Sequence, residues 1–197
     1  MSQSIEFFFD FRSPYSYLAY SQLPRLDVEV ALRPINVLKV MDKVGNVPTT
    51  IVCAVKNRYA TADLGRWARR YGVPLKPADM KTIDGETCSR AVLAASSSED
   101  AAAVTAALFR ACWGEAQALT STEDILAAIA AAGIDPEPIA ARIDDPATIA
   151  ALEANTKEAV ERGVFGAPSI FVGETLFFGN DRLDFVREHL ALQEGSQ

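Results

Sequence analysis

Apolar runs predict β-strands near both ends of the chain. Residues 4–11 form an almost continuous apolar run, and residues 28–32 alternate between apolar and polar positions as a half-buried strand does. Near the other end, residues 169–172 and 175–178 are apolar and are joined by a Gly-Glu pair typical of a hairpin turn. A helix is expected after the first strand, and another from about residue 180 to 192.

The region 37–145 shows helical periodicity and no convincing strand. Trp67 and Tyr71 belong to an apolar series with the three- and four-residue spacing of one helix face. Capping signals divide the region, with glycines where helices should end and Ser121 and Asp145 as N-caps. About five helices are expected here and just beyond.

The order of these elements predicts an α/β protein with a thioredoxin-like fold and a large all-helical insertion. Strand, helix and strand come first, and a hairpin and a helix come last, so the two ends must meet in one sheet. We expect residues 1–36 and 146–197 to form the thioredoxin-like domain and residues 37–145 to form the inserted helical subdomain.

Composition narrows the classes of function. The chain has 197 residues, with 26 acidic against 19 basic side chains and a net charge of −7, which disfavours nucleic acid as a partner. No run approaches the roughly 20 apolar residues that cross a bilayer. The first residues do not resemble a secretory signal, so a cytoplasmic location is expected.

The three cysteines give no sign of a metal or redox motif. Cys53, Cys88 and Cys112 lie far apart in sequence, form no C-x-x-C pair and lack the companion histidines of a zinc site. We expect no bound metal, and we interpret the cysteines as small hydrophobic residues in a reducing compartment.

Ser13 is the first candidate site residue. It follows the first strand and precedes Pro14, as the N-cap of a helix does, so its side chain lies where unpaired N–H groups and the helix dipole stabilise an anion or thiolate. A thioredoxin-like fold has its reactive cysteine here, but Ser13 and Ser16 replace both thiols and exclude disulfide exchange. The one histidine, His189, lies in the last helix, which disfavours a Ser-His triad.

Two further candidates lie in the C-terminal part. Pro168 begins a strand, and a cis peptide bond there would turn the backbone groups of Ala167 toward an extended ligand. Asn180 and Asp181 are N-cap candidates for the last helix. Its N-terminus would hold a carboxylate and Asp181 an ammonium, the two groups of an α-amino acid.

Basic and phenolic residues form the last candidates. Lys56, Arg58 and Tyr59 precede the predicted helix around Trp67, and together they could hold and polarise an anionic aromatic substrate. Arg12, next to Ser13, is another candidate partner for a carboxylate. A solvated helix start and an exposed arginine remain alternatives for the two groups.

Four motifs together carry a family resemblance, which covers nearly the whole chain. They are Asp-Phe-x-Ser-Pro-Tyr-Ser-Tyr-Leu-Ala at 10–19, Lys56-x-x-Tyr59 ahead of Asp63-Leu-x-x-Trp67, Val164-Phe-Gly-Ala-Pro168 and Gly179-Asn-Asp-Arg182. In this order they resemble the 2-hydroxychromene-2-carboxylate isomerases, relatives of the kappa class glutathione transferases that share the thioredoxin-like fold of DsbA. Isomerases of this kind often have Gln in place of Asn180 and Trp in place of Phe178.

The resemblance implies a glutathione site. Ser13 would hold the sulfur as the catalytic residue, and Ala167 and cis-Pro168 would pair with the cysteinyl backbone. Asn180 and Asp181 would bind the γ-glutamyl end. Lys56, with Arg58 or Tyr59, would hold the substrate carboxylate or the developing enolate. Arg12 stays a substrate candidate on its position next to Ser13 alone.

The reaction implied by the resemblance interconverts 2-hydroxychromene-2-carboxylate and trans-o-hydroxybenzylidenepyruvate in naphthalene-type aromatic degradation. Thiolate addition to the conjugated double bond would allow rotation, and elimination would restore the double bond, so that glutathione is a catalyst. The resemblance also implies a homodimer.

Three alternatives remain open at this point. A kappa-like glutathione transferase or peroxidase would consume glutathione on another electrophile. A non-catalytic thiol-binding or chaperone-like relative would bind glutathione without turnover. A disulfide oxidoreductase is disfavoured because the Ser13–Ser16 motif has no cysteine.

Overall fold

The structure, a computed structural model, describes residues 3–76 and 78–194. Its strands are β1 (Ser4–Phe9), β2 (Glu29–Pro34), β3 (Ser169–Val172) and β4 (Thr175–Phe178). They form a four-stranded sheet in the order β2-β1-β3-β4, in which β1 and β2 run parallel and the other neighbours run antiparallel. Phe7 pairs with Leu32 on one side and with Ile170 on the other, so the two ends of the chain meet in one sheet.

Helices make up most of the remaining described residues. They are α1 (Pro14–Tyr20), α2 (Val37–Lys43), α3 (Thr49–Val52), α4 (Ala54–Tyr71), α5 (Gly85–Leu93), α6 (Ser98–Phe109), α7 (Thr122–Ala131), α8 (Glu137–Ala140), α9 (Pro146–Glu161) and α10 (Leu183–Glu194). Short 3-10 turns occur at Leu23–Arg25, Met80–Thr82 and Asn180–Arg182, and α6 continues into a π-helical turn at Arg110–Gly114. In the described part of the chain, no helix is both long and apolar enough to span a membrane.

The predicted α/β architecture with a helical insertion is confirmed. Between residues 37 and 145, the described residues contain helices and one isolated parallel bridge, between Ile83 and Leu119. The expectation of about five helices was too low, because short helices such as α3 and α8 lack a full apolar period. Ser121 caps α7 in a capping box, while Asp145 occupies the N-cap of α9 without a side-chain hydrogen bond.

An aromatic core joins the sheet to the inserted helices. Phe9 packs against Phe11 with ring centroids 5.5 Å apart, and Phe11 packs against Phe109 at 4.6 Å. The buried Trp113 donates a hydrogen bond from Nε1 to the Phe11 carbonyl at 2.8 Å. Each such buried aromatic side chain stabilises the fold by about 1.5–3 kcal/mol. These contacts fix the turn that follows β1, where the candidate site begins.

Candidate active site

Ser13 is the N-cap of α1, as the sequence predicts. Its backbone is extended, at φ −95° and ψ 108°, and its Oγ accepts a hydrogen bond from the Ser16 N–H at 3.1 Å. The same hydroxyl donates to the Ala167 carbonyl at 3.0 Å. Two segments that are 154 positions apart in the sequence therefore meet at one serine oxygen. The start of α1 also supplies the positive end of a helix dipole.

The loop opposite Ser13 is held from both sides. The Ala167–Pro168 peptide bond is cis, as expected from the sequence, and Pro168 is buried. The Gly179 N–H donates to the Pro168 carbonyl at 3.0 Å, which ties this loop to the end of β4. A Cβ on Gly166 would lie 2.9 Å from Cε2 of Phe178, so the loop passes too close to that ring for a larger residue.

Asn180 and Asp181 lie in the 3-10 turn before α10, and the prediction that one of them caps a helix was wrong. The N-cap of the turn is Gly179, whose φ of 102° suits glycine, so the turn has no side-chain cap. Asn180 is buried, and Tyr71 Oη donates to its carbonyl at 2.7 Å. Asp181 is exposed and pairs with Arg182. The α-helix therefore begins only at Leu183, after a 3-10 turn that carries one exposed carboxylate.

Tyr15 and Asp63 belong to the same region, and the sequence reasoning did not identify them as site residues. Burial, followed by the nearby Asp63 carboxylate, raises the pKa of Tyr15 to about 12. Tyr59 and Asp181 also raise this pKa, which places α4 and the 3-10 turn near the start of α1. Trp67 Nε1 donates to Asp63 Oδ2 at 3.1 Å. The four-residue spacing of Asp63 and Trp67 was the available signal.

The basic cluster lies at the start of α4 and is exposed to solvent. Tyr59 is 66% exposed, and the guanidinium of Arg66 lies 5.6 Å from its ring centroid. Lys56 precedes Tyr59 by three residues and therefore shares its helix face, which is also the face of Asp63. Arg58 is adjacent to Tyr59 in sequence and points about 100° away around the helix. Helix geometry thus favours Lys56 and Tyr59 over Arg58 at the site.

Arg12 points into the protein. Its Nε donates to Asp10 Oδ1 at 3.0 Å, and its Nη2 donates to Asp10 Oδ2 at 2.6 Å and to Asn36 Oδ1 at 3.1 Å. Burial lowers the pKa of Arg12, but the hydrogen bonds and charge of Asp10 outweigh it, so that this pKa is raised overall. Arg12 thereby positions the turn before Ser13, and its assignment to the substrate stays a prediction.

Close packing completes this internal cluster. Asp10 is fully buried and also accepts a hydrogen bond from the Val37 N–H at 2.9 Å. A Cβ on Gly85 would lie 2.7 Å from Arg12 Nε and 2.8 Å from Asp10 Oδ1. The first residue of α5 must therefore be small for the ion pair to form.

Ser16, two of the cysteines and His189 pack against other parts of the protein. Ser16 Oγ is buried and has no hydrogen-bond partner among the described residues. Cys88 and Cys112, distant in sequence, contact each other in the core, and burial followed by this contact raises the pKa of Cys88. His189 lies edge-on to the Phe177 ring at 5.6 Å. Within the described residues, no group of three or more His, Cys, Asp or Glu side chains could hold a metal ion.

Known proteins resemble the chain over nearly its full length. The model of the DSBA-like thioredoxin domain matches residues 4–191. A 2-hydroxychromene-2-carboxylate isomerase from Sphingobium xenophagum is 34% identical over 96% of this chain and 99% of the relative. The kappa 1 glutathione S-transferase of Caenorhabditis elegans is 28% identical over 94% of this chain and 90% of its own.

Solved structures show the same architecture. A structure of 2-hydroxychromene-2-carboxylate isomerase superposes with a TM-score of 0.86 at 31% identity, over 96% of this chain and 95% of that one. The cytosolic disulfide reductase DsbM from Pseudomonas aeruginosa, solved with GSH, superposes with a TM-score of 0.63 at 21% identity, over 96% of this chain and 98% of that one. The latter likeness concerns the fold alone.

Proposed function

The chain belongs to the 2-hydroxychromene-2-carboxylate isomerase family, within the DSBA-like thioredoxin domains, and we propose that it is a glutathione-dependent cis-trans isomerase. The proposed reaction interconverts 2-hydroxychromene-2-carboxylate and trans-o-hydroxybenzylidenepyruvate in aromatic hydrocarbon catabolism. The observation that carries the proposal is the Ser13 hydroxyl, which lies at the start of α1 and donates to the Ala167 carbonyl.

The residues around Ser13 fit a small thiol peptide. The Ser13 hydroxyl can turn from the Ala167 carbonyl to a thiolate, and that carbonyl can accept a peptide N–H instead, so the polar groups stay paired. An extended peptide would add to the backbone at Ala167 as a further strand does. Asp181 is an exposed carboxylate suited to an ammonium group, and the neighbouring Asn180 is buried with its side-chain amide donating to Tyr71 Oη at 3.4 Å. No cysteine in the Ser13–Ser16 motif could trap the thiol as a disulfide.

Glutathione would supply a thiolate that adds reversibly to the conjugated double bond of the substrate and is regenerated unchanged. A free thiol has a pKa of about 8.5 and is therefore mostly protonated at neutral pH. Ser13 donates a hydrogen bond and the α1 N-terminus contributes positive potential, and both favour the thiolate over the thiol. Ser13 is therefore the proposed catalytic residue, and it acts by holding charge rather than by attacking.

The substrate carboxylate is assigned to the start of α4. Lys56 provides a mobile positive charge on the face shared with Tyr59 and Asp63, and Tyr59 is exposed, so its hydroxyl can donate to a ligand. These groups would also stabilise the negative charge that develops on the substrate oxygen during addition. Arg58 is a more distant partner on the neighbouring helix face.

A kappa-like glutathione transferase is the second candidate, favoured by the relative that is 28% identical over 94% of the chain. The two functions differ in stoichiometry. An isomerase leaves the amount of free thiol constant through many turnovers, whereas a transferase removes one thiol for each product molecule.

The deciding experiment follows the trans oxo acid by its absorbance with substoichiometric glutathione and counts free thiol before and after. We expect many turnovers per glutathione and no loss of thiol. S-methylglutathione, which has the same peptide groups and no ionisable thiol, is the matched control and should support no turnover. Loss of thiol in step with product would establish the transferase, and turnover without glutathione would overturn the proposal.

The assembly and location of the protein belong to the same proposal. We expect a cytoplasmic homodimer that binds glutathione and a small aromatic oxo acid. Light scattering of the purified protein at several concentrations would contradict the dimer if it gave the mass of one chain throughout.

A further inference from the structure

Two phenylalanines beside the Ala167–Pro168 loop are exposed and pack against each other. The Phe165 and Phe178 ring centroids are 4.4 Å apart, with planes inclined at 45°. Phe165 is 40% exposed and Phe178 is 41% exposed. Phe165 precedes Ala167 by two residues, and Ala167 accepts the hydrogen bond from Ser13. We name this pair the aryl shelf.

The aryl shelf is held in place by its surroundings. Asn46 Nδ2 donates to the Phe165 carbonyl at 2.7 Å, and Phe178 is paired with Ser169 across the β3–β4 hairpin. The Phe178 ring packs where a Cβ on residue 166 would lie, so Gly166 makes room for it. The shelf is therefore a preformed apolar surface beside the loop whose Ala167 carbonyl accepts the hydrogen bond from Ser13.

The exposure of the shelf contrasts with that of the phenylalanines of β1 and β3, while Phe177 in β4 is half-buried. Phe7, Phe8 and Phe9 are completely buried, and Phe171 is almost so. An exposed pair of tilted rings leaves apolar area in contact with water, and a planar ring packed against it would remove that area. Because the shelf consists of two uncharged phenyl rings, an uncharged aromatic group suits it better than a carboxylate or an ammonium does.

We propose that the aryl shelf binds the hydroxyaryl ring of the substrate and so sets a preference for aryl-substituted over alkyl-substituted oxo acids. This inference rests on the proposed function. Lys56 and Tyr59 take the carboxylate end of the molecule and the shelf takes the ring end, so the conjugated double bond lies between them, next to Ser13. Edge-to-face or offset stacking of the third ring would fix its orientation.

The experiment replaces the shelf residues by an aliphatic side chain. The variants Phe165→Leu, Phe178→Leu and the double variant are assayed with the aryl oxo acid and with an alkylidene oxo acid that keeps the same conjugated enone. We expect kcat/KM for the aryl substrate to fall about 3- to 10-fold per ring, while the alkyl substrate is turned over as before. Phe185→Leu, which removes an exposed phenylalanine from α10, is the matched control and should change neither value.

Two binding measurements complete the experiment. Calorimetry with a saturated aryl oxo acid, which cannot react, should show the same 3- to 10-fold weakening, roughly, in the shelf variants without glutathione. Calorimetry with glutathione should show no change. Equal loss for both substrates, or weaker glutathione binding, would overturn the shelf as an aryl site. If wild-type protein turns over neither oxo acid, the proposed function fails. Tighter binding of the saturated aryl acid to wild type than to the shelf variants would still support the shelf in that case.

Discussion

The turn after β1 has an inner and an outer side that differ in how their polar groups are satisfied. On the inner side, Asp10, Arg12 and Asn36 bind one another in a buried cluster. On the outer side, Ser13 is half-buried and makes one exchangeable hydrogen bond to the half-buried Ala167. The inner side fixes the backbone so that the outer side can change partners without moving. Substitutions inside should therefore act on stability, and substitutions outside should act on activity.

The largest expected effect is that of removing Asp10. The variant Asp10→Ala leaves the largely buried Arg12 guanidinium without its carboxylate and leaves the Val37 N–H without the acceptor it has in the structure. The free energy of unfolding should fall by about 3–5 kcal/mol, measured by urea denaturation. Asp184→Ala removes a carboxylate from the exposed pair with Arg187 and should cost less than about 1 kcal/mol. Similar losses in the two variants would contradict the inner-side role of Asp10.

The next effect is that of removing the Ser13 hydroxyl. Ser13→Ala should lower kcat about 100- to 1,000-fold, because a positioned donor to developing charge is lost. The N-cap is also lost, at a cost of about 1 kcal/mol in stability. Ser97→Ala removes the equivalent N-cap of α6, whose side chain accepts from the Asp100 N–H, and should cost the same stability with full activity. Steady-state kinetics and thermal melts separate the two, and unchanged turnover in Ser13→Ala would remove the proposed role.

Alkaline pH should weaken the core behind the turn. Burial raises the pKa of Tyr20 to about 12 from the usual 10.0, and Tyr15 is shifted in the same direction. Above pH 10 the unfolded chain releases these protons while the folded chain retains them, so stability falls as pH rises toward 12. The loss from Tyr20 should be roughly 2 kcal/mol.

Urea denaturation at intervals between pH 9 and about 11.5 measures this slope. Tyr20→Phe gives up the hydrogen bond from Tyr20 to the Ala102 carbonyl but should flatten the dependence on pH. A slope that is the same in wild type and Tyr20→Phe would assign it to other groups.

A smaller inner-side effect comes from close packing at Gly85. Gly85→Ala puts a methyl group against Arg12 and Asp10 and should destabilise by about 1–2 kcal/mol. Gly65→Ala in α4 has only Arg69 Nη1 nearby, at 3.6 Å, and should stabilise by up to about 1 kcal/mol. Opposite signs in denaturation midpoints would support the packing argument, and equal signs would count against it.

The smallest expected effect separates Lys56 from Arg58. Lys56→Ala should raise KM up to about fivefold with little change in kcat, as is typical of an exposed charge contact. Arg58→Ala removes one charge from the neighbouring face of α4. It should leave KM within about twofold of the wild-type value. The reverse order would assign the carboxylate to Arg58.

Local motifs made some of these features predictable. Ser13 before Pro14 predicted an N-cap, and the apolar runs predicted each strand of the sheet to within a few residues. The first run extended to residue 11 in the sequence, while β1 ends at Phe9. The reason is that Asp10 accepts a hydrogen bond from Arg12 in the turn after β1. The pattern of apolar residues carries no information about such a polar contact.

Other features depend on residues that are far apart in the chain. Asp10 and Gly85 meet only after α5 packs behind the turn, and Tyr15 meets Asp63 only once α1 and α4 are adjacent. The start of the last helix was misplaced because the chain passes through positive φ at Gly179 and makes a 3-10 turn first. Capping preferences in a sequence give no information about such a detour.

The two tryptophans of the chain provide optical reporters on the two sides of the turn. Trp113 is buried against the Phe11 carbonyl, behind the turn, whereas Trp67 is bonded to Asp63 beside Tyr15. The intrinsic fluorescence of a protein that retains Trp67 alone would therefore respond to a ligand entering the site. In a second variant that retains Trp113 alone, the emission would stay constant until the core itself opens, so the two variants would report occupancy and unfolding separately.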